Sequence, residues 1–128
     1  MGESTCILVC VTAQKGSAAL IRRGREIASA RGIPLRVLHV HGGPFALGSP
    51  ENAEILNELF SLAHEADAEM HVLHDPDVPA AIVRYAADCG ALALVLGPDR
   101  SGTVGKIRRL LDSGVELIQQ ADEPAEFV

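Results

Sequence analysis

Hydrophobic and polar positions along the chain follow two alternating patterns, and each change of pattern marks a new element. Short runs of apolar, branched side chains are typical of strands buried on both faces of a parallel sheet. Such runs occupy residues 6–11, 35–40, 69–75 and 91–97, and the third of them is the most alternating. Apolar positions at helical spacing predict helices over residues 17–31, 51–65, 78–89 and 106–121, before a short last strand at 125–128.

Signals for helix ends agree with these boundaries. Ser49 and Asp77 stand at N-cap positions, each ahead of a proline in the first turn, and Gly32 and Gly90 follow the ends of helices. The regular alternation of strands and helices predicts an α/β fold. We expect one doubly wound, Rossmann-like domain over residues 1–128, with a five-stranded, mostly parallel sheet and helices on both faces.

Composition and charge narrow the classes of function. Of the 128 residues 48% are apolar but only 3% aromatic, so a site that stacks bases or flavins has few side chains to use. Seventeen acidic and eleven basic residues give a net charge of −6, which argues against nucleic acid as a partner. Purely apolar runs fall far short of the roughly 20 residues of a membrane helix, and the chain starts without a secretory signal pattern. We expect a cytoplasmic protein with no membrane partner.

Cysteines and histidines form no recognised metal or catalytic pattern. Cys6 and Cys10 lie on one predicted strand, about 13 Å apart, beyond the Cα separation of about 7 Å that a disulfide tolerates. We interpret the three cysteines as reduced thiols. The five histidines lack the spacing of a structural zinc site, although His41 reaches the end of strand 2, where it could contact a ligand. No nucleophile, base and orienting acid occur together, so we do not expect an enzyme.

Ligands of doubly wound folds bind beyond the carboxyl ends of the strands, near the point where the strand order reverses. The loops after strands 1, 2 and 4 contain glycine and lead into helix N-termini, which favour anions such as phosphate. The alternative is that these glycines only form turns that any such fold needs. A Walker phosphate loop is excluded, because Arg100 replaces its first glycine and Ile107 its hydroxyl.

Several longer segments carry a family resemblance. They are "ILVCV" in strand 1, "LRVLHVHG" around strand 2, and "DPDVPAAIVRYAADCGALALVLGPDRSG" leading into "IRRLLDSGV". With them, nearly the whole chain resembles the universal stress protein family. The stretches "LIRRGREIASARG" and "DVPAAIVRYAADCG" are similar to the universal-stress-like domain of bacterial potassium-sensing histidine kinases.

The resemblance also implies where a nucleotide would bind. Nucleotide-binding members carry an aspartate just after strand 1 and a G-x-x-G-x9-G-[ST] motif after strand 4. Thr12 stands at the aspartate position, Arg100 at the second glycine, and Asp112 replaces the last glycine with a carboxylate that would repel phosphate. The candidate nucleotide-binding residues are Thr12, Val40, Gly97, Arg100, Ser101, Gly102 and Ser113. No catalytic or metal-binding residue is implied.

These observations lead to one main hypothesis and two alternatives. The main hypothesis is a small regulatory or stress-response domain that acts by binding and dimerisation, with a degraded nucleotide site and no obligatory cofactor. Pairing of residues 125–128 with a second copy would cover an exposed sheet edge, and a protein partner is left open. The first alternative is a sensor that binds ATP, AMP or a cyclic dinucleotide. The second is weak ATP hydrolysis.

Overall fold

Strands and helices alternate throughout the computed structural model, which describes residues 5–12, 16–42, 50–97, 102–111 and 114–119. The strands are β1 (Cys6–Cys10), β2 (Leu35–His41), β3 (Glu69–His74), β4 (Ala91–Leu96) and β5 (Glu116–Gln119). The helices are α1 (Ser17–Arg31), α2 (Pro50–Glu65), α3 (Val78–Asp88) and α4 (Thr103–Leu110). None of these described helices is long and apolar enough to cross a membrane.

All five strands are parallel and form one sheet in the order β3-β2-β1-β4-β5. The chain moves outward from β1 to β2 and β3, then crosses back to β4 on the other side of β1. The strand order therefore reverses between β1 and β4, and the helices that follow these two strands, α1 and α4, lie on opposite faces of the sheet. This topology confirms the predicted doubly wound α/β fold.

Helices cover both faces of the sheet, as predicted. On one face α1 and α2 pack against the strands in a core that includes Ile7, Val9, Leu20, Ile21, Leu59 and Val95. On the other face α3 and α4 complete a core that includes Leu8, Leu38, Ile82, Leu94 and Ile107. The central strands are buried on both sides, which explains why their sequences are continuous apolar runs rather than alternating ones.

Helix α1 approaches the sheet closely at Gly24. A Cβ atom at this position would overlap Cγ2 of Val9 and lie 3.0 Å from Cδ1 of Leu35. Val9 is fully buried and Leu35 is 3% exposed, so neither side chain has solvent to move into. The missing side chain of Gly24 therefore sets how closely α1 packs on β1 and β2.

The predicted caps of α3 and α1 are present in the structure. The Asp77 carboxylate accepts a hydrogen bond of 3.3 Å from the backbone N–H of Ala80 at the start of α3. Gly32 follows α1 with a left-handed φ of 68°, a conformation that glycine adopts without a steric penalty. Ser49, predicted to cap α2, lies outside the described residues.

The prediction for the end of the chain is wrong in one element. Residues 106–121 do not form one helix: α4 spans Thr103–Leu110, and β5 follows over Glu116–Gln119. In β5, Leu117 packs into the core under α3 and α4, and Ile118 packs into the core under α1 and α2. Neighbouring side chains on opposite faces are the pattern of a strand. The predicted last strand, residues 125–128, lies outside the described residues, and β5 is the fifth strand of the sheet.

Candidate functional site

Four of the predicted nucleotide-binding residues lie along the carboxyl edge of three neighbouring strands. Thr12 follows β1, Val40 lies near the end of β2, Gly97 follows β4, and Gly102 caps the N-terminus of α4 with a φ of 79°. Because β2, β1 and β4 are adjacent and parallel, these positions flank the point where the strand order reverses. The other three predicted residues, Arg100, Ser101 and Ser113, lie outside the described residues.

Thr12 is exposed at this edge, but both its backbone and its hydroxyl contact Ser17 in the first turn of α1. The backbone N–H of Thr12 donates to Ser17 Oγ at 3.1 Å, and Ser17 Oγ donates to the Thr12 carbonyl at 2.7 Å. The two hydroxyl oxygens are 3.4 Å apart. Ser17 is only 3% exposed, so its hydroxyl serves this loop rather than solvent. The sequence predicted Ser17 as the start of a helix and gave no sign of this second role.

Gly97 lies where α1 approaches the end of β4. A Cβ atom here would be 3.2 Å from Cδ1 of Leu20 in α1, a contact tighter than ordinary packing. On the opposite face, the side chain of Val40 packs against the core under α3 and α4. The apolar side chains next to these strand ends, Leu20 and Val40, therefore belong to the two cores of the sheet.

His39 supports the same edge from β2. Its Nδ1 is 2.9 Å from the carbonyl oxygen of Val11, and since a carbonyl can only accept, Nδ1 carries the proton. The side chain is 6% exposed. Burial lowers the pKa of His39, against the opposing effect of the bond to Val11, so the ring is neutral near pH 7. The hydrogen bond holds the backbone at Val11, between the end of β1 and Thr12.

His41, predicted to reach the ligand end of strand 2, is the last residue of β2 and is partly buried. Its ring stacks on that of His74 of β3, with centroids 5.8 Å apart, and lies 6.1 Å from that of His39. Across the stretches that the structure describes, no group of three or more His, Cys, Asp or Glu side chains could hold a metal ion. The histidines at this edge therefore form a row of ring contacts across β2 and β3.

The structure brings together one pair of reactive side chains that sequence reasoning missed. The sulfur atoms of Cys6, at the start of β1, and Cys89, after α3, are 3.3 Å apart. Cys89 precedes β4, and β4 lies beside β1, so this contact follows from the strand order. The strand order was the signal that could have indicated it. The pair lies at the amino edge of the sheet, opposite the edge that carries Thr12 and Gly97.

No protein-family model matches the chain. Among curated proteins, the sensor protein KdpD of Mycobacterium tuberculosis is 34% identical over 109 residues, which cover 85% of this chain. The chain spans 12% of the length of that relative. The match therefore concerns one part of a much longer sensor.

Solved structures align over nearly the whole chain. The universal stress protein from Archaeoglobus fulgidus aligns with a TM-score of 0.72 and 23% identity, covering 91% of this chain and 93% of that one. A complex of the A. fulgidus universal stress protein with dAMP aligns at 0.71 and 23% identity, covering 92% and 98%. A universal stress protein in complex with cAMP aligns at 0.66 and 20% identity, covering 93% and 98%. These matches confirm the resemblance to the universal stress protein family, and the chain has the universal stress protein fold.

Proposed function

We propose that this chain is a cytoplasmic regulatory domain of the universal stress type that acts by binding rather than catalysis, with a nucleotide site that has lost part of its binding groups. The observation that carries the proposal is the state of Thr12. A carboxylate at this position could accept hydrogen bonds from both hydroxyls of a ribose. Thr12 has one uncharged hydroxyl, and its oxygen already lies 3.4 Å from Ser17 Oγ. The cleft therefore holds a ribose less firmly than a site with an aspartate would.

Phosphate binding is weakened for a separate reason. Asp112, outside the described residues, stands in the segment that nucleotide-binding members use for phosphate, and its carboxylate repels a triphosphate. The glycines that remain, Gly97 and Gly102, still leave room for a backbone approach to one phosphate group. Without the strand-1 aspartate, and with Asp112 in the segment used for phosphate, the site favours a ligand with less negative charge than ATP.

A panel of adenine nucleotides tests the proposal. The melting temperature of the purified chain is measured with ATP, AMP, dAMP and cAMP at constant ionic strength. A ligand that reaches 100 times its Kd stabilises the folded state by about 2.7 kcal/mol, an easily measured shift. We expect no shift with ATP, no adenine absorbance in the small molecules released on denaturation, and no phosphate release from ATP. Stabilisation by millimolar ATP would refute the degraded site.

Two substitutions at the cleft sharpen this test. Thr12→Asp introduces the missing carboxylate, and Thr12→Asn, of the same size but uncharged, is the matched control. If the strand-1 position limits binding, Thr12→Asp gains a melting shift with AMP that neither the wild type nor Thr12→Asn shows. Equal behaviour of the two variants would mean that the defect lies elsewhere in the cleft.

A second candidate function is sensing of an adenine nucleotide with a single phosphate, and two structures with the same fold favour it. Those universal stress proteins are in complex with dAMP and with cAMP. Each of these ligands has one phosphate and lacks one of the two free ribose hydroxyls of AMP, so each depends less on a carboxylate at the position of Thr12. A melting shift of the wild type with dAMP or cAMP, but not with ATP, would support this sensor over an empty site.

Dimerisation through the end of the chain is the remaining part of the proposal. β5 is the last strand on its side of the described sheet, and an uncovered edge strand is prone to pair with another chain. Residues 125–128, outside the described residues, are the predicted pairing segment. Light scattering should give a dimer for the full chain and a monomer after removal of residues 124–128. A full chain that is monomeric at micromolar concentration, or a shortened chain that stays dimeric, would contradict this interface.

A further inference from the structure

Cys6 and Cys89 are held in contact by the backbones around them. Their sulfur atoms are 3.3 Å apart although 83 positions separate them in the sequence. The N–H of Cys6 donates to the carbonyl of Gly90 at 3.3 Å, and Cys6 pairs with Ala91 at the start of β4. Neither residue therefore depends on a flexible segment to reach the other. The start of β1 and the residues just before β4 therefore hold the two sulfurs in contact.

We propose that Cys6 and Cys89 form a reversible thiol–disulfide pair that a hydroperoxide oxidises and a small thiol reduces. A disulfide bond is about 2.05 Å long, so the two sulfurs need to approach by only about 1.2 Å. Rotation of the side chains about their Cα–Cβ bonds supplies a movement of this size. The pair is separate from the nucleotide cleft, and its chemistry does not depend on any nucleotide.

Exposure assigns different roles to the two cysteines. Cys6 is 1% exposed within the core under α3 and α4, whereas Cys89 is partly buried at the C-cap of α3. An oxidant from solvent therefore reaches Cys89 first. The guanidinium of Arg36, on β2, adds a positive charge to the surroundings of Cys89. We infer that Cys89 attacks the oxidant and that Cys6 then closes the disulfide.

The electrostatics agree with these roles. A hydrogen bond from the Cys6 thiol, supported by the charge of Arg36, lowers the pKa of Cys89 to about 7. The same hydrogen bond and burial raise the pKa of Cys6 above its usual value. Of the two sulfurs, Cys89 is therefore the one that becomes a thiolate more readily. The thiolate is the nucleophilic form of cysteine.

Oxidation proceeds in two steps, the formation of a sulfenic acid and the closure of the disulfide. The Cys89 thiolate attacks one oxygen of the hydroperoxide, the O–O bond breaks, and the other oxygen leaves and takes a proton as an alcohol or water. Cys89 is then a sulfenic acid. The Cys6 thiol loses its proton and its sulfur attacks the sulfur of Cys89, so that the S–S bond forms and the hydroxyl leaves as water. Two thiols lose two electrons, and the hydroperoxide gains them. Two molecules of glutathione reverse the change by thiol–disulfide exchange.

Cys10 provides an internal control. It lies four residues beyond Cys6 on β1, and burial raises its pKa above the usual value for a thiol. Cys10 is therefore mostly protonated near pH 7 and reacts slowly. The structure predicts that oxidation consumes two of the three thiols and leaves Cys10 free.

A peptide map tests the pair directly on the full chain. After treatment with hydrogen peroxide, trypsin should release residues 1–15 linked to residues 85–100, and this link should disappear with dithiothreitol. Residues 1–15 contain both Cys6 and Cys10, so the map is repeated on Cys10→Ser, which should keep the link. Cys89→Ser should abolish it. Thiol titration under denaturing conditions should fall from three groups to one.

Clear outcomes would overturn the proposal. One is that all three thiols stay free at a peroxide concentration that fully oxidises glutathione. Another is that Cys89 becomes a sulfonic acid and no disulfide-linked peptide forms. A third is that the linked peptide is lost in Cys10→Ser. The result on the wild type decides even if a cysteine variant folds poorly, because it needs no substitution. An intermolecular disulfide, recognised by its doubled mass on a non-reducing gel, would also count against the proposal.

The pH dependence of the oxidation rate tests the role of Cys89. The charged and titratable groups around it are Cys6 and Cys10 from β1, Arg36 from β2, Tyr85 from α3 and, through Arg36, Glu69 from β3. The rate should rise as the pH increases through about 7. Arg36→Gln should move this rise to higher pH. Tyr85→Phe keeps the guanidinium and removes its 3.4 Å hydrogen bond to the Tyr85 hydroxyl, so the profile should move less than in Arg36→Gln. Equal profiles for the wild type and the two variants would show that Arg36 does not affect the reactivity of Cys89.

Discussion

The close approach of α1 to the sheet at Gly24 can be tested with a single methyl group. Gly24→Ala places a Cβ atom on top of Cγ2 of Val9 and 3.0 Å from Cδ1 of Leu35. Valine is stiff about its first side-chain bond, so Cγ2 cannot turn away cheaply. The helix must therefore shift outward or Val9 must leave its preferred rotamer.

Two opposing effects set the change in the free energy of unfolding caused by Gly24→Ala. Alanine is the better helix former inside α1, by about 0.8–1.0 kcal/mol. Overpacking of a well-packed core costs about 1–3 kcal/mol, and the full burial of Val9 argues for the upper half of that range. We expect Gly24→Ala to lower the free energy of unfolding by about 1–2 kcal/mol. If helix propensity decided the result, the variant would instead be more stable than the wild type.

Urea unfolding followed by circular dichroism measures this difference, with Gly105→Ala in α4 as the matched control. A Cβ atom at Gly105 meets nothing within 4 Å, so that variant should gain up to about 1 kcal/mol from propensity alone. A double-mutant cycle with Val9→Ala isolates the contact: the new Cβ would be 3.6 Å from Cβ of residue 9, an ordinary distance. In the Val9→Ala background, the cost of Gly24→Ala should fall to the smaller strain of the 3.0 Å contact with Leu35. A similar loss in both backgrounds would refute the reasoning.

Two further predictions concern a helix cap and a buried histidine. Asp77→Ala removes the acceptor of the Ala80 N–H and should cost about 1 kcal/mol in urea unfolding, whereas Asp77→Ser should retain most of the stability; equal losses would contradict the cap. Burial lowers the pKa of His39 in the folded state, so the unfolded chain, with a histidine pKa of about 6.5, binds more protons than the folded chain. The free energy of unfolding therefore decreases as the pH is lowered from about 7 to 5. His39→Gln should make this decrease smaller, and an unchanged pH dependence would show that other groups cause it.

Local signals were enough to predict most of the fold. The caps at Asp77 and Gly32 act within three or four residues, and the buried strands are visible as apolar runs, so the order of elements follows from short stretches of sequence. β5 could not be found in this way. Its four residues are too few to show a period, and a neighbouring apolar pair such as Leu117 and Ile118 also fits a helix. Pairing with β4, as in Val95–Ile118, decides its structure, and that contact lies more than 20 positions away.

The candidate site was predictable in place but not in detail. Strand ends at a reversal of order indicated Thr12 and Gly97, because all parallel strands of a sheet point to one edge. The bonds between Thr12 and Ser17 depend on where α1 begins in space, which no spacing rule gives. The contact of Cys6 with Cys89 depends on strand order, which local patterns leave open.

The cysteine pair and the candidate nucleotide site lie at opposite ends of the same two strands, β1 and β4. β1 and β4 are paired from Cys6–Ala91 to Val9–Val95, with one irregularity next to Cys6. A disulfide at the amino ends would restrain this pair, whose carboxyl ends lead to Thr12 and Gly97. Any effect of oxidation on nucleotide affinity must be matched by an equal effect of the nucleotide on the stability of the disulfide, because linked equilibria are reciprocal. Affinities measured for the oxidised and the reduced chain would therefore show whether the sheet couples its two edges.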